Sequence, residues 1–582
     1  MAVKLATTAG FCMGVKRAVD MVLDLAQHKG TETVYTYGPL IHNPQTIDLL
    51  KKRGIIPIDS LDEIGSTGRG TMIIIRAHGI SPAERHRIKE MGIRIMDATC
   101  PRVGRVQAII KKHAAKDYTV LIAGDEEHPE VNGLLGYTAG RGIVISDPKD
   151  VDRLPDLGKV CVVAQTTQNP EEYHTLVEKI RARFPEAAVF DTICDSTEKR
   201  QTEVRILAKE MDAMIVVGGR NSANTRRLAA LSERQGTPTY QIETAEELNK
   251  DAIIGVSDIG VSAGASTPNW IIDRVVDTIT TYQGEKVRRA PFLFNIWTWT
   301  VRTDVYSAIG AAFLSLTAMM LQNLPVHFPQ IFLAALFVYA MHTINRFVNR
   351  RTSTIIGSFR EESYRHHETS YLATAAASLI LALTIGFFAG RAAFLILLCM
   401  SVLGALYNTA IFPNSWRFRG LKDLPGSKNI AMATAWATVT AVLPQISHEP
   451  VLTPAMAVAF CFVFGLVFIR SALSDIHDIQ SDKLIGRETI PVLIGRERTE
   501  RLLTLVSVFL LFLLWIAWPM GWTSTLSPFL SLSIFYIWIC FKVYDRKPRF
   551  SGVVVEGILE TNYVVAGVCS VMWVCLISVI RA

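Results

Sequence analysis

The sequence predicts two halves of different fold class: a front half of three similar α/β units, and an all-α back half with about nine membrane-spanning helices. Three observations lead to this prediction. Short runs rich in β-branched residues alternate with charged, helix-like stretches up to about Tyr282, as in folds with parallel sheets. Three cysteines recur in comparable contexts in the same half. Beyond about residue 302, apolar runs near bilayer-spanning length follow one another with short polar breaks.

Composition agrees with a division near residue 290. At 582 residues the chain is too long for one hydrophobic core. The net charge of +7 does not indicate a nucleic-acid partner, because the basic residues of the back half lie between apolar runs, where membrane topology places them. The cysteines form no dense disulfide framework, and the first residues contain no apolar signal-peptide core. We therefore expect the front half in the cytosol.

The cysteines Cys12, Cys100 and Cys194 each end a predicted strand and precede a predicted helix. Their separations of 88 and 94 residues are close to one domain-sized repeat. The predicted units are about 1–97, 98–192 and 193–285. A helix N-terminus favours a thiolate ligand, and three distant cysteines suit an iron-sulfur cluster better than zinc, which usually shows paired spacing. Three ordinary buried cysteines are the alternative.

Polar turns that follow strands in this half supply further candidates. Small donors beside glycine allow close approach to a phosphate oxygen, and histidines add charge-assisted donors. A lone histidine is more often a core or surface residue, and His28, His86, His113 and His174 are interpreted in that way. The candidates are His42, His78, His128, Glu130, Thr166, Thr167, Ser222, Asn224 and Ser266.

Residues 1–282 contain, in order, the motifs GFCMGV, HNPQ, RAHG, DATCP, GDEEHPE, QTT, NSANT and SAGASTP. Together these motifs resemble the 4-hydroxy-3-methylbut-2-enyl diphosphate reductase (LytB) family. The resemblance implies an α/β trefoil of three pseudo-repeated domains around one four-iron four-sulfur cluster. The implied cluster ligands are Cys12, Cys100 and Cys194, which leave the fourth iron open to the substrate.

The same resemblance implies an activity and residue roles. The substrate, 4-hydroxy-3-methylbut-2-enyl diphosphate, would be reductively dehydroxylated to isopentenyl and dimethylallyl diphosphate, the last step of the non-mevalonate pathway, with electrons from a ferredoxin- or flavodoxin-type donor. Glu130 would supply protons, assisted by Thr167, and an enclosed carboxyl group with a raised pKa suits that role. Ala223 stands where a second serine is common in the family, which removes one hydroxyl group. The implied diphosphate ligands are His42, His78, His128, Ser222, Asn224 and Ser266.

The back half contains nine apolar runs, which predict a multi-pass protein of the inner or cell membrane. They lie near 303–323, 328–345, 371–388, 391–412, 430–446, 452–474, 500–522, 525–543 and 561–580. If the front half is cytosolic, the loops after even-numbered runs should face the cytosol, and these loops carry the lysines and arginines. The basic and aromatic stretch 286–302 suits a linker and interfacial segment between domains at 1–285 and 303–582.

Three aspartates, Asp475, Asp478 and Asp482, follow the sixth run at spacings that would place them on one face of a continuing helix. Clustered carboxylates at a membrane boundary are costly unless they bind a metal ion or water, so a Mg²⁺–diphosphate site is one hypothesis and a solvated helix end is the other. This stretch and the nine runs resemble the UbiA prenyltransferase family.

The UbiA resemblance implies a second acidic motif after the second apolar run, and that motif is altered here. Asn349 and Ser353 stand where acids are usual, and Arg346 stands beside Asn345. Their loss should weaken Mg²⁺ binding. Three hypotheses follow: a reductase fused to an active prenyltransferase, a reductase with a non-catalytic lipid-binding or scaffold domain, and a membrane redox protein without diphosphate reductase activity. The altered motif favours the second, and Glu130 with the diphosphate ligands disfavours the third.

Overall fold

The chain divides into two units, Met1–Lys286 and Val287–Ala582. The computed structural model describes residues 2–28, 33–64, 70–284, 292–348, 367–407, 409, 420–485, 487–545 and 552–581. Asn349 and Ser353, at the altered acidic motif, lie outside the described residues.

The first unit alternates short strands with helices. The strands are β1 (Ala2–Leu5), β2 (Thr33–Tyr37), β3 (Ile55–Ile58), β4 (Thr71–Ile75), β5 (Arg94–Asp97), β6 (Thr119–Ala123), β7 (Gly142–Ile145), β8 (Val160–Ala164), β9 (Ala188–Val189), β10 (Ala213–Val217), β11 (Thr239–Ile242) and β12 (Asp258–Ala263). The helices are α1 (Met13–His28), α2 (Pro44–Lys52), α3 (Pro82–Glu90), α4 (Pro101–Ala114), α5 (Pro129–Leu135), α6 (Pro170–Arg183), α7 (Asp195–Glu210), α8 (Ala223–Glu233), α9 (Lys250–Ile254) and α10 (Asn269–Gly284).

The strands form three separate four-stranded sheets, and every pairing is parallel. The strand orders are β3-β2-β4-β5, β7-β6-β8-β9 and β1-β12-β10-β11. Strands β4, β8 and β10 are buried along their whole length, as expected for parallel strands covered by helices on both faces. This arrangement confirms the predicted set of three parallel-sheet α/β units.

The amino-terminal strand differs from the predicted unit boundaries. We placed residues 1–97 in the first unit, but β1 pairs with β12, in register from Ala2 opposite Asp258 to Leu5 opposite Val261. Val3 and Leu5 pack against the buried cluster of that last sheet. The spacing of cysteines along the chain carries no information on strand pairing between distant segments. The sequence therefore did not predict the pairing of β1 with β12.

The second unit is helical in its described residues. Its helices are α11 (Phe292–Arg302), α12 (Val305–Leu321), α13 (Phe328–Val348), α14 (Glu368–Ala389), α15 (Arg391–Leu406), α16 (Ser427–Ala437), α17 (Leu443–His448), α18 (Pro454–His477), α19 (Ile479–Ile485), α20 (Ile490–Ile494), α21 (Arg496–Ala517), α22 (Leu526–Phe529), α23 (Ser531–Asp545) and α24 (Gly552–Arg581). A π-helical turn, Thr438–Val442, joins α16 to α17.

Six apolar helices among the described residues are long enough to cross a membrane, or seven if α11 and α12 are counted as one bent span. Two further apolar helices, Arg391–Leu406 and Leu526–Lys542, are shorter than that. A helical domain with six to seven apolar helices is thus confirmed, whereas the count of nine spans stays a prediction. The core contains Leu466 and Phe462 of α18 with Trp436 of α16 and Tyr563 of α24.

Candidate functional site

A cavity of about 100 Å³ lies in the first unit, in the loops that follow strands of all three sheets. Loops at the carboxyl ends of parallel strands meet at one edge of each sheet, so residues far apart in sequence converge there. The cavity brings together every site residue predicted for this half: Cys12, His42, His78, Cys100, His128, Glu130, Thr166, Thr167, Cys194, Ser222, Asn224 and Ser266.

Each of the three cysteines lies at the start of a helix. Cys12 directly precedes α1, and Cys100 and Cys194 are the N-cap residues of α4 and α7. All three are free thiols. A Cβ added to Gly14 would lie 2.5 Å from the Sγ of Cys100, so only glycine allows α1 to approach this sulfur so closely. The N-termini of three helices therefore present three sulfur ligands to one cavity, which fits an anionic cluster.

The buried cation Arg200 supports the same conclusion, and sequence reasoning missed it. Its side chain is 2 % exposed, and its guanidinium donates to the carbonyl oxygens of Ala263 at 2.5 Å and Gly10 at 2.9 Å. Burial lowers the pKa of Arg200 to about 10, and the sulfur of Cys12 is the largest opposing influence. Within the described part of the chain no carboxylate forms an ion pair with Arg200. A buried charge needs a counter-charge, which an anionic cluster on the cysteines would supply.

The carboxyl group of Glu130 is 1 % exposed and is held by one neighbour. The backbone N–H of Thr166 donates to its Oε1 at 2.7 Å, and the Thr166 hydroxyl group lies 2.8 Å from its Oε2. Burial raises the pKa of Glu130, while these hydrogen bonds oppose the shift. Because an N–H can only donate, a protonated Glu130 must carry its proton on Oε2. The geometry suits a proton donor.

The partner of Glu130 differs from the predicted one. We expected Thr167 to assist Glu130, but the contacts are made by Thr166. The Thr167 Oγ1 instead accepts hydrogen bonds from Gln165 at 2.9 Å and Arg227 at 3.1 Å. Thr166 and Thr167 are adjacent residues of one turn, and the motif alone could not show which threonine faces the acid.

The three predicted histidines form a cluster in the cavity. Their ring centroids lie 5.0 Å (His42–His78), 5.3 Å (His78–His128) and 6.1 Å (His42–His128) apart. Burial is the main reason that the pKa of each is lowered, in His128 to about 4. The N–H of Glu130 donates to Nδ1 of His128 at 3.1 Å, so neutral His128 carries its proton on Nε2.

Unpartnered polar atoms beside the histidines indicate an anionic ligand. Among the described residues, Nε2 of His42, Nδ1 of His78 and both amide atoms of Asn224 are buried without a hydrogen-bond partner. Asn224 lies in the first turn of α8, where backbone N–H groups and the dipole favour an anion. Ring nitrogens of the histidines lie within 4.8 Å of one another and could also hold a metal ion. The adjoining helix N-terminus and amide favour a phosphate group over a metal ion.

Hydroxyl groups complete this end of the cavity. Ser222 is the N-cap of α8 and accepts from the N–H of Thr225 at 3.4 Å, and Ser266 donates to the carbonyl oxygen of His42 at 3.2 Å. Ala223 also lines the cavity, so the departure from the family pattern places a methyl group where a hydroxyl group could have donated.

The three aspartates of the second unit do not lie on one continuous helix, as the prediction assumed. Helix α18 ends at His477, Asp478 is its C-cap, and Asp482 lies on the separate helix α19. Asp475 is 1 % exposed, and its two oxygens accept from Lys428 Nζ at 2.5 Å and Asn429 Nδ2 at 2.8 Å. A lysine ammonium and an amide thus contact Asp475, and Asp475 and Asp478 both act electrostatically on Asp482. The Mg²⁺–diphosphate site on the three aspartates stays a prediction.

Arg346, in the last turn of α13 and just before the altered motif, is bound internally. Arg346 donates to both oxygens of Asp304, at 2.6 and 3.1 Å, and Asp304 is fully buried. The pair neutralises two charges inside an apolar domain.

Two known families match the two units of the chain separately. Residues 3–280 match the family model of the LytB protein, and residues 311–551 match that of the UbiA prenyltransferase family. Proteins named 4-hydroxy-3-methylbut-2-enyl diphosphate reductase match the first half. That of Citrifermentans bemidjiense is 44 % identical over 287 residues, which are 49 % of this chain and 100 % of the relative. That of Aquifex aeolicus is 43 % identical over 279 residues, 47 % of this chain and 94 % of the relative.

Solved structures resemble each half separately. A structure of (E)-4-hydroxy-3-methyl-but-2-enyl diphosphate reductase covers 48 % of this chain and 100 % of its own, with 41 % identity and a TM-score of 0.39. A UbiA homolog from Archaeoglobus fulgidus bound to GPP and Mg²⁺ covers 47 % of this chain and 99 % of its own, with 16 % identity and a TM-score of 0.34.

Proposed function

Because the chain belongs to the LytB family and carries a UbiA-family domain at 311–551, we propose that its first half reduces 4-hydroxy-3-methylbut-2-enyl diphosphate to isopentenyl and dimethylallyl diphosphate. The reaction takes up two electrons and two protons and releases the hydroxyl group as water. One observation carries the proposal: three cysteines, a buried acid and a histidine cluster line the same cavity.

The residues present fit a four-iron four-sulfur cluster on Cys12, Cys100 and Cys194. When bound, the cluster would supply electrons and a Lewis-acidic iron that no cysteine occupies. The protein's own groups would do the remaining work. Thr166 holds the carboxyl group of Glu130, whose Oε2 proton is available to the leaving hydroxyl group or the allylic carbon.

The diphosphate would bind at the other end of the cavity. His42, His78 and His128 offer ring N–H donors, and α8 offers its N-terminus with Ser222 and Asn224. Ser266 adds a hydroxyl group. Binding of an anion would stabilise protonated histidines, whose pKa values are lowered by burial in the free protein.

Anaerobic turnover tests this proposal. The full chain, purified in lipid nanodiscs and loaded with iron and sulfide, should convert the substrate to both products with a strong one-electron reductant. Cys100→Ser should lose turnover. The control Cys161→Ser, at a buried cysteine inside β8, should keep it. This pair of results would support a cluster on the cysteines of the cavity. A cluster-loaded wild-type protein that forms neither product would reject the proposal.

For the second unit we propose a membrane-embedded domain of nine spans over 303–582 that is not a Mg²⁺-dependent prenyltransferase. The internal pairing of Asp475 with Lys428 and of Asp304 with Arg346 supports this. The reductase domain, 1–285, would lie on the cytoplasmic side, because the basic loops of the membrane domain follow even-numbered apolar runs.

Helix α11 supports an interfacial segment between the two domains. It meets α12 at 87°, and Phe292, Leu293 and Trp299 are more than half exposed. Aromatic side chains favour the headgroup level of a bilayer.

The alternative, an active prenyltransferase, is tested by transfer of a labelled prenyl group to a broad acceptor panel with and without Mg²⁺. Transfer that needs Mg²⁺ and is lost in Asp478→Ala would overturn the non-catalytic proposal. Absence of transfer in wild-type protein that retains reductase turnover supports it.

A further inference from the structure

A ring of hydrogen bonds links four polar residues at the loop that carries Thr166. Asp125 follows β6, Gln165 and Thr167 follow β8, and Arg227 lies on α8. The ring therefore joins the loop before Glu130, the loop that contacts Glu130, and the helix whose first turn lines the diphosphate end of the cavity.

The direction of every hydrogen bond in the ring follows from groups that can only donate. The backbone N–H of Asp125 donates to Oε1 of Gln165 at 2.9 Å, which fixes the side-chain amide of Gln165. Its Nε2 then faces Thr167 and donates to Oγ1 at 2.9 Å. Gln165 is fully buried, so its amide has no solvent alternative.

Arg227 closes the ring from the other side. Its Nη1 donates to both the carbonyl oxygen and Oγ1 of Thr167, each at 3.1 Å. Its Nη2 donates to both carboxylate oxygens of Asp125, at 2.7 and 2.8 Å. A planar guanidinium can make both contacts at once because its donors form a fixed fork, which a lysine ammonium cannot reproduce.

Thr167 is thereby fixed at three points. Two donors occupy the lone pairs of its hydroxyl oxygen and a third hydrogen bond holds its carbonyl oxygen. The next residue towards the amino terminus, Thr166, places its N–H and hydroxyl group on Glu130. Fixing Thr167 fixes the backbone that aims both groups of Thr166.

We propose that Arg227, with Asp125 and Gln165, is a positioning element that clamps Thr167 and so holds Thr166 against the acid Glu130. Thr167 serves as the anchor of this clamp. The inference rests on the proposed function, because it explains how the proposed acid, Glu130, is held in position. Its hydrogen bonds connect the four residues to one another, and among the described residues no hydrogen bond or ion pair joins the ring to a histidine side chain.

The clamp predicts a loss in kcat with little change in KM. Arg227→Lys keeps the positive charge but removes the fork, and we expect kcat to fall about tenfold to hundredfold, as for misplacement of a catalytic group. The affinity for inorganic diphosphate should stay within about twofold. Arg234→Lys is the matched control, because Arg234 pairs with Glu172 at the surface at 2.9 Å, with its side chain 63 % exposed.

A double-mutant cycle separates the clamp from a general loss of structure. If Arg227 acts through Thr166, the double variant Arg227→Lys with Thr166→Val should be no slower than Thr166→Val alone. Hydrogen exchange gives a readout independent of turnover. The peptide that contains Gln165, Thr166 and Thr167 should exchange faster in Arg227→Lys, while the peptides of β10 should not change.

The outcomes distinguish this inference from the proposed function. An unchanged kcat in Arg227→Lys, losses that multiply in the double variant, or unchanged exchange of the loop would each overturn the clamp. A wild-type protein without reductase turnover would reject the proposed function instead, and the exchange measurement would still decide whether Arg227 holds the loop.

Discussion

The substitution Glu130→Gln removes the proposed acid and leaves its surroundings almost intact. The glutamine oxygen can keep the 2.7 Å hydrogen bond from the N–H of Thr166. Its amide nitrogen can donate to the Thr166 hydroxyl oxygen, which in the wild-type protein lies 2.8 Å from Oε2 of Glu130. Both hydrogen bonds and the side-chain volume are preserved, so the free energy of unfolding near neutral pH should change by less than about 1 kcal/mol.

Turnover should respond very differently, since an amide cannot transfer a proton. A positioned general acid contributes about 10²- to 10⁴-fold, so we expect kcat to fall by that factor. Anaerobic steady-state kinetics on the cluster-loaded full chain measure it. Glu127→Gln is the matched control, because Glu127 lies in the turn just before α5 and is exposed.

The pH dependence gives a second test of the same carboxyl group. Burial raises the pKa of Glu130 above its ordinary value of 4.5, so the folded protein holds this proton to higher pH than the unfolded chain. Its contribution to the free energy of unfolding is therefore fully present below pH 4.5 and is lost as pH rises through the folded pKa. The protonated fraction, and kcat with it, should fall over the same interval. The reasoning would be refuted if Glu130→Gln kept the kcat of the wild-type protein, or if its kcat depended on pH in the same way as that of the wild-type protein.

Three further predictions concern the remaining residues of the cavity. His128→Ala should weaken binding of inorganic diphosphate about tenfold to hundredfold in titration calorimetry, since a hydrogen bond to a charged group is lost; unchanged affinity would contradict the assignment. Arg200→Gln should lower the cluster's reduction potential in a spectroscopic titration, because a buried positive charge beside the cysteines is removed, and an unchanged potential would argue against it. Cys161→Ala should retain full iron content and lose about 1 kcal/mol of stability by denaturant titration, whereas Cys194→Ala should lose the cluster; equal iron in both variants would reject the ligand set.

Local sequence patterns predicted the parts of the fold that depend on short-range order. Alternating apolar and charged runs predicted the parallel-sheet units, and cysteine and histidine motifs after strands predicted residues that line one cavity. The pairing of β1 with β12 spans the whole unit, and no local pattern encodes it. The number of spans depends on helix length: among the described residues, Arg391–Leu406 and Leu526–Lys542 are apolar but short, and the count of nine spans stays a prediction.

The residues that sequence reasoning missed act through contacts between distant segments. Arg200 lies in a charged stretch of a predicted helix, and Arg227 follows the polar motif NSANT; neither stretch shows which distant groups these side chains contact. For Arg200, a polar residue on the inner face of an otherwise apolar helix stripe was the available signal. Arg227 lies about one helical turn after the motif residues Ser222 and Asn224. This position could have identified Arg227 as a residue near the site.

The central claim is that the three cysteines hold a cluster at the place where a diphosphate substrate binds. Mössbauer spectroscopy of the full chain loaded with ⁵⁷Fe tests it directly. The account predicts an iron-sulfur cluster in which one iron site differs from the others, and a change in the signal of that site when 4-hydroxy-3-methylbut-2-enyl diphosphate is added. A cluster whose spectrum is the same with and without substrate would contradict the account.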